Sequence, residues 1–253
     1  MVDPFASPKR RLARAKEQIS DLKTRIEAWG ESNPYARIVE RNARGFDEHK
    51  VKVTISLPDV VTDIAYEAIE ALRSSLDQAT YAVAIACKAK RSDLIHFPIA
   101  DNVTDFENGL KGWLREFPPD ILTLFRTLKP YQAGNQIIWA LNRIRRQGTH
   151  RLLVTVGSAL HGVAVKNLSI SSPAPCEIPP PRWDSEKNEI TLVIVGPGSN
   201  LQYDIDLAFF VAFGQVEGLA GEPVFDTLDD AAREVERIVV AIEAESRRIG
   251  LIA

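Results

Sequence analysis

Residues 59–89 read DVVTDIAYEAIEALRSSLDQATYAVAIACKA, and this stretch decides the fold. Asp59 suits the N-cap of a helix, because its short carboxylate can accept a hydrogen bond from the first turn. Apolar side chains then recur at three- and four-residue steps, which is the spacing of one face of an α-helix. The members of this stripe are Ile64, Ala65, Ala68, Ile69, Leu72, Leu76, Ala79, Val83 and Ala86. A stripe this broad predicts a long helix at the centre of a helical bundle.

Five further segments have the apolar spacing of amphipathic helices. They are residues 10–29, 103–113, 118–128, 135–146 and 227–247. Asn135 can cap the fourth of these helices. Thr227, followed by Asp230, forms a capping box that predicts the start of the last one.

Alternation of apolar and polar residues predicts β-strands between these helices. Two short segments, residues 36–41 and 49–55, flank a turn-rich sequence and should pair as a β-hairpin. Three later segments are rich in β-branched and aromatic side chains, which favour strands. They are residues 163–171, 189–196 and 203–213.

Three connecting segments are read less directly from the sequence. Residues 152–156 fit a strand or part of a helix equally well, since periodicity does not separate the two. Residues 196–200, with two glycines and a proline, indicate a hairpin turn. The proline-rich residues 172–181 are too long for a tight turn, so they indicate a semi-rigid connection or a cover for a sheet edge.

The order of these elements predicts an α+β fold. A helical bundle with a small N-terminal β-hairpin should occupy residues 1–162. A small antiparallel sheet of three or four strands, with a C-terminal helix covering it, should follow in residues 163–253. Short connections and shared apolar helices favour packing of the two parts as one unit.

Composition excludes several classes of protein. Thirty-one Lys and Arg against 34 Asp and Glu give a net charge of −3, which leaves room only for a local nucleic-acid-binding patch. Two cysteines, Cys87 and Cys176, cannot build a disulfide scaffold or a cysteine-based zinc site. Without a secretory signal or an apolar run of about 18 residues, we expect a cytoplasmic protein with no membrane association. We expect neither a metal ion nor a cofactor.

Four arginines and a histidine are concentrated in residues 141–153, LNRIRRQGTHRLL. On a helix Arg143 and Arg146 share a face, and Gly148 could bend the chain so that His150 approaches either of them. Arginine offers a planar charged fork for phosphate, and histidine moves protons near neutral pH. These properties suit metal-independent cleavage of RNA. The candidate catalytic residues are Arg143, Arg145 and His150.

A second pair of charged residues lies on the central helix. Arg73 and Asp77 are four residues apart and must share a face, either as a surface ion pair or pointing at the arginine-rich segment. The candidate binding residues are Arg73, Asp77, Arg146 and Arg151. The alternative is structural: arginines at a helix end are favoured by the helix dipole, and the charges would form an ion-pair network between two helices.

The spacing of Arg145 or Arg143 from His150 resembles the Arg-x(4–6)-His motif of the HEPN superfamily. This resemblance implies a helical-bundle ribonuclease that needs no metal. It also implies a homodimer, because the two motifs of that superfamily meet across a dimer interface.

Four short elements are similar to a group of uncharacterised bacterial proteins, over about residues 10–165. They are LRSSLD at 72–77, FPI at 97–99, PYQ at 130–132 and HRLL at 150–153. The similarity implies a shared fold and carries no activity with it. We therefore expect a bacterial, non-catalytic binding or structural accessory protein, with RNA or a protein as its partner. The alternative is a HEPN-like, metal-independent ribonuclease that uses an Arg/His pair.

Overall fold

The protein has the α+β fold that the sequence predicts, as seen in a computed structural model. The structure describes residues 3–90, 92–147, 153–157, 163–180, 183–184, 186–207, 209–214 and 216–253. Within these ranges, the side chains of residues 93, 145–147, 153–157, 163–168, 203–207, 209 and 210 lie outside the description.

All six predicted helices are confirmed. They are α1 Ala6–Glu31, α2 Asp59–Ala86, α3 Val103–Lys111, α4 Pro119–Leu128, α5 Gln136–Gln147 and α6 Val224–Arg248. Asn135 caps α5 as expected, because its Oδ1 accepts a hydrogen bond from the Ile138 N–H at 3.2 Å. None of the helices in the described part of the chain combines the length and the apolar character needed to cross a membrane.

The predicted start of α6 at Thr227 is wrong. The helix begins at Val224, with Pro223 at the N-cap position. The Thr227 N–H donates to the Pro223 carbonyl at 3.2 Å, so Thr227 already lies within the first turn. Proline at the cap is compatible with this start because the first N–H groups of a helix have no partner inside it.

The strands lie in two regions of the chain. They are β1 Tyr35–Arg41, β2 Asp47–Val53, β3 Leu153–Gly157, β4 Val163–Ser171, β5 Cys176–Glu177, β6 Trp183–Asp184, β7 Glu189–Val195, β8 Asn200–Leu207 and β9 Phe209–Phe213. Of the segment that the sequence left open at residues 152–156, residues 153–156 lie in strand β3. The strand predicted over residues 203–213 corresponds to β8 and β9, with residue 208 between them outside the described residues.

By their contacts, the residues group into two compact units that are interleaved along the chain. The helical unit comprises residues 1–23, 59–152 and 213–253. The β unit comprises residues 24–58 and 153–212. The boundary between residues 162 and 163 that we inferred from the sequence stays a prediction.

In the helical unit, α2 is the central element, as its broad apolar stripe indicates. It packs against both α5 and α6, and α6 also contacts α4 and α5. Leu72, Leu76 and Val83 on α2 are completely buried, as are Val235 and Ile238 on α6. From the sequence we expected α6 to cover the sheet, and these helical partners were not predicted. An apolar stripe indicates that one face of a helix is buried, but it does not indicate which element packs against that face.

In the β unit, the predicted hairpin is confirmed and is part of a larger sheet. Strands β1 and β2 pair antiparallel, and the sheet continues in the order β1-β2-β7-β5, with β6 also paired to β7. Val51 on β2 packs into a buried cluster with four residues of β7. Strand β5 comes from the proline-rich segment, so this segment covers the edge of β7, which is one of the two alternatives that the sequence allowed.

Residues 196–200 form a turn but do not connect two paired strands, so the predicted hairpin is wrong. Gly198 has φ of +79°, a left-handed conformation that favours glycine, and the Ser199 N–H donates to the Gly196 carbonyl at 3.4 Å. Strand β7 before the turn pairs with β2, β5 and β6, whereas β8 after it pairs with β4. Turn chemistry is local, but the choice of pairing partner depends on distant strands.

One lysine of the hairpin is buried among carboxylates. Alternation places Lys50 on the polar face of β2, yet only 6% of the residue is exposed. Its Nζ lies 2.7 Å from Glu40 Oε2, 3.1 Å from Glu48 Oε2 and 3.1 Å from Glu189 Oε1. Burial opposes the charge of Lys50, but hydrogen bonds to the three carboxylates outweigh it and raise the lysine pKa. The side chain is buried because β7 joins the hairpin and contributes Glu189.

The same cluster lowers two carboxylate pKa values. The hydrogen bond from Lys50 lowers the pKa of Glu40, and the hydrogen bond from Asn42, together with Lys50, lowers that of Glu48. A carboxyl with a lowered folded-state pKa stabilises the protein above its unfolded pKa, and that stability is lost as the pH falls through the folded value. The contribution of Lys50 is full below its unfolded pKa and is lost only in strong base.

We predict that Lys50→Met lowers the free energy of unfolding by about 3 kcal/mol at neutral pH, because it leaves buried Glu189 without its cation. The difference from wild type should narrow in acid, as the pH falls through the lowered pKa values of Glu40 and Glu48. Thermal melts followed by circular dichroism at neutral pH and in acid measure this difference. Lys23→Met, at an exposed lysine of α1, is the control and should have little effect. A wild-type advantage that stays constant in acid would contradict this account.

Candidate functional site

Arg73 and Asp77, two residues predicted to bind a ligand, both contact one backbone segment. They form an ion pair along α2, in which Arg73 is 4% exposed. Asp77 Oδ1 accepts a hydrogen bond from the Phe97 N–H at 2.8 Å, and Arg73 Nη2 donates to the Phe97 carbonyl at 3.3 Å. The pair therefore satisfies both backbone groups of Phe97.

Arg143, a predicted catalytic residue, also has partners within the helical unit. It forms an ion pair with Glu217, its Nη1 lies 3.9 Å from Asp101 Oδ1, and its guanidinium lies 5.6 Å from the centre of the Trp139 ring. The Trp139 Nε1–H donates to Asp101 at 3.1 Å. Two carboxylates thus oppose the charge that was expected to bind phosphate.

These two sets of contacts meet on one segment, residues 97–101. Arg73 and Asp77 attach its first residue to α2, and Trp139 and Arg143 attach its last residue to α5. Between them the Ala100 N–H donates to the Pro130 carbonyl at 3.1 Å. The structure therefore brings the described candidates together through a shared structural segment. Their role in catalysis or ligand binding stays a prediction.

The other candidates of the arginine-rich segment are described only in part. Arg145 and Arg146 lie in α5, but their side chains fall outside the described residues. His150 and Arg151 fall outside the described residues altogether. The approach of His150 to an arginine, on which the ribonuclease hypothesis depends, is thus a prediction still.

A separate apolar cleft lies between the start of α1 and the C-terminal half of α2. Its volume is about 460 Å³. The residues lining it are Pro4, Ser7, Pro8, Gln78, Tyr81, Ala82, Ile85 and Ala86. Ala82 and Ala86 leave space because their side chains are short, while 45% of Tyr81 and 52% of Ile85 are exposed. Large apolar side chains left open beside small ones are typical of a binding cleft.

Ser7 and Gln78, two polar side chains that line the cleft, already have hydrogen-bond partners. Ser7 Oγ donates to Gln78 Oε1 at 2.7 Å, and Gln78 Nε2 donates to Ser74 Oγ at 3.1 Å. Ser75 Oγ donates to the Pro8 carbonyl at 2.9 Å, which fixes α1 against α2 at the same place. A ligand in this cleft would therefore meet mainly apolar surface, with no buried polar atom that it must satisfy.

Two other concavities in the helical unit are lined by ions. One of about 440 Å³ is crossed by Arg248, which pairs with Asp120 and Glu245. The other, of about 410 Å³, contains two arginines and two glutamates on α1 and α2. In contrast, the described lining of the apolar cleft holds no formally charged side chain. Of these three concavities in the described part of the chain, the apolar cleft is therefore the one best suited to an uncharged ligand.

Among the described residues, no group of three or more His, Cys, Asp or Glu side chains is arranged to hold a metal ion. Burial raises the pKa of the Cys87 thiol, so the reactive thiolate is disfavoured. Both cysteines are free thiols.

The sequence contained a signal for this cleft that our reading did not use. Tyr81 and Ile85 are four residues apart, so they share one face of α2, and neither belongs to the apolar stripe of that helix. Two large apolar residues on an outward face indicate an exposed patch. Their partners Pro4 and Pro8 could not be inferred, because only tertiary packing brings α1 to this part of α2.

In comparisons with known proteins, no family model matches the chain, and neither a curated protein nor a solved structure shows significant similarity to it.

We predict that Asp77→Ala lowers the free energy of unfolding by about 3 kcal/mol, because it removes the carboxylate that pairs with buried Arg73 and the acceptor of the Phe97 N–H. Chemical denaturation followed by circular dichroism measures the loss. Asp63→Ala, an exposed carboxylate on the same helix, is the matched control and should change stability little. Equal stability of the two variants would show that the Arg73–Asp77 pair does not stabilise the helical unit.

Proposed function

We propose that the protein is a non-catalytic cytoplasmic binding protein whose ligand site is the apolar cleft between α1 and α2. The observation that carries this proposal is the cleft itself: about 460 Å³ of apolar space beside Tyr81 and Ile85, which are half-exposed. The ligand is a small, neutral, largely apolar molecule, such as one with an aromatic ring or a short acyl chain.

The chemistry of the lining supports this ligand class. Pockets of roughly 300 to 1,000 Å³ hold small molecules, and apolar walls bind by removing apolar surface from water. A charged ligand would lose its hydration without gaining a counter-ion from the described lining, which disfavours it. The free thiols Cys87 and Cys176 are in keeping with a reducing compartment.

The binding reading is favoured over catalysis by the state of Arg143. Its charge is opposed by Glu217 and Asp101, so phosphate would have to compete with two carboxylates. Arg73 is likewise held by Asp77 and the Phe97 carbonyl. Both arginines stabilise the scaffold on which the cleft is built.

We predict that N-phenyl-1-naphthylamine, a neutral dye that fluoresces in apolar surroundings, binds the wild-type protein. Ile85→Glu should weaken this binding at least about tenfold, because the ligand would have to desolvate a carboxylate. Fluorescence titration measures both affinities. Ile85 is 52% exposed, so the substitution should leave folding intact, and a thermal melt checks this.

Val240→Glu is the matched control for this experiment. Val240 lies on α6, is 54% exposed and does not line the cleft. The Val240→Glu protein should bind the dye with the affinity of wild type. No dye binding by wild type, or equal losses in both variants, would rule out the cleft as the site.

We also predict that the protein does not cleave RNA by means of His150. Total RNA and tRNA incubated with wild type and with His150→Ala, in EDTA, should remain intact on a denaturing gel. The thermal melts of both proteins establish that they are folded. Cleavage by folded wild type alone would replace the present proposal with the HEPN-like, metal-independent ribonuclease, which acts as a homodimer in that superfamily.

A further inference from the structure

Two aromatic side chains lie face to face on the surface of the helical unit. The rings of His96 and Trp113 have centres 5.1 Å apart and planes inclined by 24°. Trp113 is 42% exposed and His96 is also exposed. The outer faces of these two stacked rings are exposed to water, so they can still stack with the rings of another molecule.

The orientation of both rings is fixed by contacts beneath them. A Cβ atom at Gly109 would lie 2.6 Å from Trp113 Cη2, so the indole packs directly on the glycine of α3. His96 Nδ1 lies 3.1 Å from the Leu94 carbonyl oxygen. Because a carbonyl only accepts hydrogen bonds, Nδ1 carries the proton in this contact, and the imidazole plane is held in place. The pair is therefore a preformed platform.

Four exposed cations lie in the chain segments next to this platform. Lys111 and Arg115 flank Trp113 in the chain, at the end of α3 and in the turn that follows it. Lys88 and Lys90 are brought to the same turn from the end of α2, since the Lys90 N–H donates to Glu116 Oε2 at 2.8 Å. The nearby carboxylate Glu107 is paired with Arg126. Glu116 itself adds one negative charge, so the four cations and Glu116 carry a net charge of +3 in a chain whose net charge is −3.

An aromatic surface among cations matches the chemistry of single-stranded nucleic acid. Unpaired bases stack on aromatic rings and gain about 1–3 kcal/mol per base, while lysine and arginine bind the phosphates between them. In a duplex the base faces are covered by neighbouring bases, so they cannot stack on a protein ring. A neutral apolar partner would gain nothing from the four cations.

We propose that the His96–Trp113 pair, with Lys88, Lys90, Lys111 and Arg115, is a binding surface for single-stranded nucleic acid. One or two bases stack on the exposed ring faces, and the flanking phosphates pair with the cations. This surface shares no residue with the apolar cleft, so the proposal does not depend on the proposed ligand site.

Fluorescence anisotropy with labelled dodecamers of uridine and of deoxythymidine tests the proposal on the whole protein. Wild type should bind at least one of them, more weakly at about 200 mM than at about 50 mM salt, and should bind a labelled duplex more weakly. Trp113→Ala should weaken binding by about tenfold or more, because it removes the stacking surface. Trp113→Phe should restore most of the affinity.

Charge and folding are controlled separately. Lys111→Glu should weaken binding and reduce its salt dependence, whereas Lys23→Glu, an exposed lysine of α1, should leave both unchanged. Thermal melts identify any variant that fails to fold. If Trp113→Ala does not fold, the affinities of Trp113→Phe and Lys111→Glu test the proposal. The proposal is overturned by no binding at about 100 µM wild-type protein, by stronger binding of the duplex, or by a folded Trp113→Ala that binds as wild type does.

Discussion

The buried Arg73–Asp77 pair is the constraint on which the helical unit depends. A guanidinium that is 4% exposed is tolerated only with acceptors around it, and here these are Asp77 and the Phe97 carbonyl. Because Asp77 also accepts from the Phe97 N–H, both backbone groups of Phe97 are bonded to α2. Phe97 itself is completely buried and packs edge-on against Phe125 of α4.

From that segment the constraint extends to the rest of the unit. Asp101 accepts from Trp139 of α5, and Arg143 connects it to Glu217 in the loop before α6. Gly218 in this loop has φ of +82°, and a Cβ there would lie 2.9 Å from the Trp139 ring. Only glycine fits, for both conformational and steric reasons. The charged side chains of Arg73, Asp77 and Arg143, all candidate site residues by sequence, thus connect α2, α5 and the loop before α6.

The two proposed binding surfaces lie outside this network of contacts. The apolar cleft has satisfied polar groups and half-exposed apolar ones, which suits a neutral ligand. The His96–Trp113 platform has exposed rings and cations, which suits bases and phosphates. Both were invisible to motif reading because each combines residues from two separate segments. The four-residue spacing of Tyr81 and Ile85 was the one feature of the sequence that indicated either of these surfaces.

The sequence by itself determined the α+β class, all six helices, the hairpin and the central position of α2. These follow from periodicity, and periodicity reflects which residues share a face a few positions apart. Only the tertiary structure decided that β7 joins the hairpin and buries Lys50, that β7 and β8 enter different sheets, and that Arg73 and Arg143 bind residues 97–101. The physical reason is that side-chain spacing specifies a buried face, whereas the partner of that face is set by contacts between segments far apart in the chain.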